Sequence, residues 1–245
     1  MSTISVIIVT YNAAATLQKC LNSIYSQTYA DIKIIIIDGN STDETIEIIR
    51  ANEDKIFYWK SEADGGIYNA MNKALLHIKS EWVYFLGADD ELYADFSAFA
   101  GELKDPSIIY YANVRTKGVI RSGKLNAYQM AKHGVFHQAI IYPAAVFKQY
   151  RYKEEYKIFA DYVLNMELWQ DKTYRFFYAD YIIAHFNYNG SSGNIADLNF
   201  NKDKSGLILK NFGWMIWMRY QIKIVKSRRR LVKVLNLFPI SNLRT

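Results

Sequence analysis

The chain has 245 residues, with 30 basic and 24 acidic side chains, a formal net charge of +6, three Pro and a single Cys, Cys20. That length can bury a substantial core, while the sparse Pro and lone Cys exclude a Pro-rich linker protein and an intramolecular disulfide framework, and fit a reducing compartment. Ten basic residues and no acidic ones follow Asp203, so the basic excess belongs to the tail and the preceding chain is slightly acidic.

Met1-Ser2-Thr3 leads straight into the apolar run at residues 4–9 with no basic stretch before it, which argues against a secretory leader and predicts a cytoplasmic location. The run is β-branched and predicts a buried strand. Thr10-Tyr11-Asn12 turns the chain into a helix whose apolar positions Leu17, Leu21 and Ile24 recur at spacings of four and three. Residues 33–37 predict a second buried strand that ends in Asp38. Ser41, with Glu44 three residues on, has the capping-box pattern for a helix carrying Ile46, Ile48 and Ile49. A third strand is expected over residues 56–60, then a flexible turn over 61–66 and a helix with Ile67, Met71, Ala74, Leu75 and Ile78 on one face. The fourth strand starts at Trp82 and stops at Asp89-Asp90. A helix over 93–103 and a strand over 107–112 complete a doubly wound α/β unit with a mainly parallel sheet.

The second half is less regular. Residues 114–125 alternate enough for a hairpin around Lys117-Gly118, and residues 137–143 predict a short strand. A helical turn over 144–149, a helix over 160–169 and one or two strands over 174–184 follow. Residues 187–193 are polar and Gly-rich and predict a mobile loop.

Three strand ends carry polar clusters: Thr10-Tyr11-Asn12, Asp38 with Ser41 and Asp43, and Asp89-Asp90. A parallel sheet brings the carboxyl ends of its strands to one edge, where open α/β sheets bind ligands. Adjacent carboxylates there suit a hard divalent cation bridging to a diphosphate, and they equally suit a turn with a helix N-cap. The chain has no G-x-G-x-x-G after its first strand and no G-x-x-x-x-G-K-[ST], which lowers the odds of a dinucleotide oxidoreductase or a P-loop NTPase.

Four ordered segments, Val6-Ile7-Ile8-Val9-Thr10-Tyr11-Asn12, Ile36-Ile37-Asp38-Gly39-Asn40-Ser41-Thr42-Asp43, Asp64-Gly65-Gly66-Ile67-Tyr68-Asn69-Ala70-Met71-Asn72-Lys73 and Phe85-Leu86-Gly87-Ala88-Asp89-Asp90, resemble the motifs of family 2 glycosyltransferases of the GT-A fold, the bacterial kind that builds surface polysaccharides. The resemblance covers roughly the first half of the chain. It implies an inverting hexosyl- or N-acetylhexosaminyl-transferase that uses a nucleotide-diphosphate-sugar, with UDP-sugars favoured, and a glycan acceptor carried on lipid. Thr10, Tyr11, Asn12, Asp38, Ser41, Asp64, Asn69, Asn72, Ala88 and Asp90 would line the nucleotide-sugar site, and Asp89 would hold Mn²⁺ or Mg²⁺. Many relatives have Asp where this chain has Gly87, so the usual D-x-D is reduced to the Asp89-Asp90 pair.

The family's catalytic base commonly follows Glu in a Glu-Asp pair, and here Ala160-Asp161 occupies that place, which makes Asp161 the candidate base; an ordinary helix N-cap is the other reading of Asp161. His137 and Gln138 resemble a pair near the acceptor site, or form part of the core. His185 is either a metal neighbour or structural.

In the tail, Arg219, Lys223, Lys226 and Arg230 recur at helical steps opposite Trp214, Trp217, Met218, Ile222, Val225 and Val232. This predicts a basic amphipathic helix lying on the inner face of the plasma membrane, with a helix packed on the domain as the competing reading and a nucleic-acid arm disfavoured. The organisation expected is a donor-binding half at 1–112, an acceptor and catalytic half at 113–205, and the tail at 206–245. Rivals to the transferase reading are a nucleotide-sugar or membrane-binding module that has lost catalysis, suggested by Gly87 and Ala160, and a nucleotidyltransferase.

Overall fold

The computed structural model describes residues 2–187 and 196–237, with side chains as far as residue 227. Ile-rich runs build the first part of the sheet. β1 (Ile4–Thr10), β2 (Ile32–Asp38), β3 (Tyr58–Ser61) and β4 (Trp82–Gly87) lie parallel in the order β3-β2-β1-β4. Nearly every residue of β1 and β4 is buried, as expected of parallel strands covered on both faces. α1 (Leu17–Tyr25), α2 (Thr45–Ala51) and α3 (Ile67–Ala74) make the crossovers. The order reverses at β1, which has β2 on one side and β4 on the other. Such a switch point opens a crevice at the carboxyl edge of the sheet.

Register fixes what lines that crevice. Thr10 pairs with Asp38 and Asp38 with Ser61, so three polar residues form one row across three strands.

The second half extends the same sheet in mixed directions. β5 (Glu91–Leu92) pairs antiparallel with β9 (Arg175–His185), and β6 (Ile108–Thr116) runs parallel to β9 and antiparallel to β8 (Ile140–Pro143). β6 and β7 (Val119–Arg121) form the expected hairpin, and Lys117 and Gly118 both take positive φ in its two-residue turn. β8 lies antiparallel to β4, with Tyr84 opposite Ile141, so the residues just before β8 arrive beside the end of β4. Residues 137–139, expected as strand, form a 3-10 turn at that position.

Helices α4 (Asp95–Ala100), α5 (Ala127–His133), α6 (Val146–Gln149), α7 (Ala160–Gln170) and α8 (Leu198–Leu237) complete the described chain. α4 is shorter than the periodicity predicts, and α5, opened by an Asn126–Gln129 capping box, is an addition to it. The boundary expected at 112 falls inside β6 and the one at 205 inside α8. Of the loop expected at 187–193, only Asn187 lies within the described residues.

The capping box expected at Ser41 and Glu44 does not form: α2 starts at Thr45 with no side-chain cap. The Ser41 hydroxyl instead donates to the Asp38 carboxylate at 2.5 Å, a charge-assisted bond stronger than a cap to a neutral amide.

α8 breaks at Gly213, whose φ of 79° and ψ of 171° lie outside the helical region. Trp217 Nε1 donates to Ser205 Oγ at 2.9 Å. Twelve residues of straight helix would hold these groups about 18 Å apart, so the segment after Gly213 folds back along the one before it.

Phe85 sits fully buried in β4 against Tyr142, Phe147 and Tyr152, joining the strand that carries the acidic pair to the second half of the fold. Phe85→Ala is expected to lower the unfolding free energy by about 3–5 kcal/mol in urea titrations, while Leu76→Ala, at an exposed position, stays within about 0.5 kcal/mol.

Candidate active site

Asp38 is completely buried at the end of β2. Burial pushes its carboxyl upward, but hydrogen bonds from Ser41 (side chain and backbone), Ser61 and Thr10 outweigh it and hold the group below the usual carboxylate range. Thr10 Oγ1 donates at 2.8 Å, Ser41 N at 2.9 Å and Ser61 Oγ at 2.7 Å. Ser41 Oγ in turn accepts from Asn12 N at 2.8 Å, and Asn12 Oδ1 accepts from Thr42 N at 2.9 Å. Asp38 therefore ties the loops after β1, β2 and β3 into one floor. Tyr11 projects from that floor, 67% exposed.

Asp64 closes over the same edge. Its Oδ1 accepts from Gly66 N at 2.7 Å, and its Oδ2 lies 2.8 Å from where a Cβ on Gly39 would stand. Only a glycine at 39 lets the two loops meet with Asp64 so placed.

Asp89 and Asp90 follow β4 and have different surroundings. Asp90 is 1% exposed, and both its oxygens are engaged: Oδ2 accepts from Gln138 Nε2 at 2.6 Å and Oδ1 from Asn187 N at 2.8 Å. Burial still dominates and raises its carboxyl to about 6, with the Asp89 charge adding to the rise against the hydrogen bonds and His137. Because this lies above the unfolded value, protonated Asp90 stabilises the fold at low pH, and that contribution is lost as pH rises from about 4 through 6. Burial raises Asp89 as well, but its carboxylate is only partly enclosed. Among the described residues no cationic side chain forms an ion pair with either carboxylate.

This arrangement fits a divalent cation delivered with a diphosphate. No group of three or more His, Cys, Asp or Glu side chains converges as a metal cage among the described residues. Mg²⁺ commonly needs one or two carboxylates and takes its other ligands from phosphates and water. Asp89 would be the ligand, with Asp90 behind it. A cleft of about 240 Å³ opens beside the pair, lined by Thr16, Lys19, Glu91 and His185. His185, at the end of β9, thus faces the acidic cleft, paired through the strands with Glu91.

Gly87 takes on a specific role. A Cβ there would stand 2.5 Å from Asp90 Oδ2 and 3.1 Å from Asp89 Oδ1. The Asp90 carboxylate crowds the place where a side chain at 87 would start.

Asp161 lies in the first turn of α7, but the N-cap position is Phe159 and no side chain caps this helix. Asp161 Oδ1 is 2.8 Å from the buried Tyr68 hydroxyl, and its Oδ2 is 3.7 Å from His137 Nδ1. Tyr68 also reaches the Ile158 carbonyl at 2.6 Å. One phenolic proton thus faces two acceptors, and can donate to Asp161 while it is ionised and to Ile158 once Asp161 carries a proton. Consecutive residues His137 and Gln138 therefore reach Asp161 and Asp90 respectively. Gln138 Oε1 is buried and has no hydrogen-bond partner among the described residues.

Asn69 and Asn72 use their amides on neighbouring protein groups, and Asn69 Oδ1 accepts from Gly65 N at 3.2 Å. Asn69 Nδ2 donates to Glu154 Oε2 at 2.9 Å, and Asn72 pairs with the Tyr152 backbone in both directions while also reaching Glu154 Oε1 at 3.0 Å. They clasp α3 to the loop that leads into α7. Tyr68, Ser61 and Glu154 complete the site and its supports, and local sequence does not single them out. Tyr68 stands inside the Asp64–Lys73 motif, and that is the signal that could have found it. Ala88 is buried.

Residues 5–181 match the family described as Glycosyl transferase family 2. A "PGL/p-HBAD biosynthesis glycosyltransferase" of Mycobacterium bovis is 34% identical over 214 residues, covering 81% of this chain and 82% of that protein. Among solved structures, S. aureus TarS in complex with UDP-GlcNAc superposes with a TM-score of 0.67 at 21% identity, covering 86% of this chain and 67% of that one. A mannosyltransferase from Pyrobaculum calidifontis in complex with GDP-Man and Mn²⁺ gives a TM-score of 0.61 at 18% identity, covering 76% of this chain and 56% of that one. The structural likenesses establish the fold.

Gly87→Asp is expected to displace the Asp90 carboxylate from Gln138 and Asn187, lowering stability by about 1–3 kcal/mol in chemical denaturation without strengthening Mn²⁺ binding by calorimetry. A variant as stable as the wild type that binds Mn²⁺ more tightly would show that the site lacks a carboxylate rather than excluding one.

Proposed function

Since the chain belongs to glycosyl transferase family 2 and is a glycosyltransferase of the GT-A type acting on a nucleotide sugar, we propose that it is an inverting, metal-dependent enzyme that transfers one sugar to a glycan acceptor in bacterial surface polysaccharide synthesis. The donor is a nucleotide-diphosphate-sugar, with a UDP-sugar favoured. The acceptor is carried on lipid, at the inner face of the plasma membrane. The observation that supports this mechanism is the bridge made by consecutive residues, His137 at 3.7 Å from Asp161 and Gln138 at 2.6 Å from Asp90, which favours a base near the diphosphate.

In this reading the nucleoside lies on the floor built by Thr10, Asn12, Asp38 and Ser41, with Tyr11 and Asp64 closing over it. Asp38 acts chiefly by orienting the hydroxyls around it, since those hydroxyls already occupy its oxygens. Asn69 and Asn72 serve by holding the acceptor loop against α3. A bound Mn²⁺ or Mg²⁺ would supply electrostatic stabilisation to the departing diphosphate, held by Asp89 with Asp90 in support.

Asp161 takes the proton of the acceptor hydroxyl as that oxygen forms its bond to the anomeric carbon. The bond from that carbon to the diphosphate oxygen breaks with its electron pair leaving on the nucleoside diphosphate. A single displacement inverts the anomeric centre. Tyr68 follows the proton by turning from Asp161 to the Ile158 carbonyl, so neither charge state of the base loses a partner.

Two measurements test this. UDP, GDP and dTDP, each with Mn²⁺ or EDTA, are compared for thermal stabilisation of wild type and Asp89→Ala; one nucleotide is expected to raise the melting temperature, and only with both metal and Asp89 present. No shift with any nucleotide would return Asp89-Asp90 to a turn with a cap. Asp161→Asn is expected to keep that stabilisation and lose about 10²–10⁴-fold in kcat for sugar transfer. Full turnover by Asp161→Asn would remove it as the base.

A further inference from the structure

The segment of α8 after Gly213 presents three faces. Ile216, Trp217 and Tyr220 pack on the rest of the fold, with Gln221 and Trp217 both bonded to Ser205. Trp217 thus faces inward, apart from the other apolar residues with which its spacing groups it. A second face carries Trp214, Met215, Met218, Ile222 and Val225 at 64%, 69%, 45%, 50% and 48% exposure. Helical steps of four, four and three place Trp214, Met218, Ile222 and Val225 on one line. A third strip, one position round the helix from the apolar line, carries the exposed side chains of Arg219, Lys223 and Lys226.

α5 adds to the basic strip from the side. The neighbouring Lys223, with burial and the charge of Lys204, brings the Lys132 ammonium down to about 8. Lys204 Nζ donates to the Lys132 carbonyl at 3.1 Å, and Arg219 stacks on the Tyr128 ring at 4.0 Å. Among the described residues no carboxylate forms an ion pair with Lys132, Lys204, Arg219, Lys223 or Lys226. Like charges held this close without a counter-ion mark a place where an anion is favoured.

The cluster adjoins the acceptor side of the site. Tyr162, the neighbour of Asp161, donates to the Ala131 carbonyl at 2.8 Å, and Lys204 lies 5.0 Å from the Tyr162 ring.

We propose that this outer face of α8 docks on an anionic lipid bilayer, with Trp214, Met215, Met218, Ile222 and Val225 at the boundary of headgroups and acyl chains and Lys132, Arg219 and Lys223 around a lipid phosphate. This rests on the reading of a lipid-borne acceptor given above, and names the face and the residues that would meet the membrane. An apolar strip flanked by Lys and Arg matches a bilayer interface in both hydrophobicity and charge. The segment lies on the membrane rather than through it, since no helix among the described residues is long and apolar enough to cross one.

Flotation of the full chain with vesicles tests this, using phosphatidylcholine alone or equal parts phosphatidylcholine and phosphatidylglycerol. Wild type is expected to float with the mixed vesicles and far less with the neutral ones. Met218→Asp with Ile222→Asp should abolish flotation, and Lys132→Gln and Lys223→Gln should each weaken partition about fivefold. Nucleotide-dependent thermal stabilisation should persist in the Met218→Asp/Ile222→Asp protein, which separates failure of the docking face from failure of the donor site. Equal flotation with neutral vesicles, no flotation of the wild type, or a dimer in light scattering that the double Asp variant abolishes would each overturn the assignment to anionic lipid.

Discussion

A carboxylate buried as deeply as Asp38 must find donors or give up its charge, and the parallel register of β1, β2 and β3 supplies them. Thr10 and Ser61 flank it in the same row, and Ser41 folds back from the following loop. Three loops that share nothing in local sequence become one surface because one charge needs all of them. The rest of the site is assembled around that edge.

Asp90 poses the same problem and reaches a different answer. Two donors, Gln138 and the Asn187 amide, do not offset its burial and the nearby charge of Asp89, so its carboxyl is raised to about 6. A site left short of positive charge in this way is suited to a cation that arrives with its own anionic ligands. Gly87 makes the arrangement possible by leaving room for the Asp90 carboxylate. Motif comparison alone suggests a missing ligand at this position, and the structure adds that a side chain there would meet the Asp90 carboxylate.

The two halves of the sheet are coupled through α3. Tyr68 reaches Asp161, while Asn69 and Asn72 hold Glu154 and the Tyr152 backbone. One helix opening at the carboxyl edge of the sheet thereby holds the candidate base. The folded-back end of α8 adds a basic and apolar face on the side where α5 and α7 meet.

Alternating strands and helices in the first half are legible in the chain itself, because parallel strands covered on both faces must be continuously apolar. The polar strand ends are legible too, because such a sheet brings them to one edge. Asp38, Asp89 and Asp161 stand out on that basis together with the motifs. How their oxygens are used depends on packing between distant elements. Ser41 reads as a cap until Asp38 competes for it, Asp161 reads as a base or a cap until the helix is seen to start from Phe159 with Tyr68 beside the carboxylate, and Gln138 meets Asp90 across 48 residues of chain. Local periodicity reports which face of an element is buried, whereas the partner of a buried polar group is set by register and packing between elements far apart in the chain.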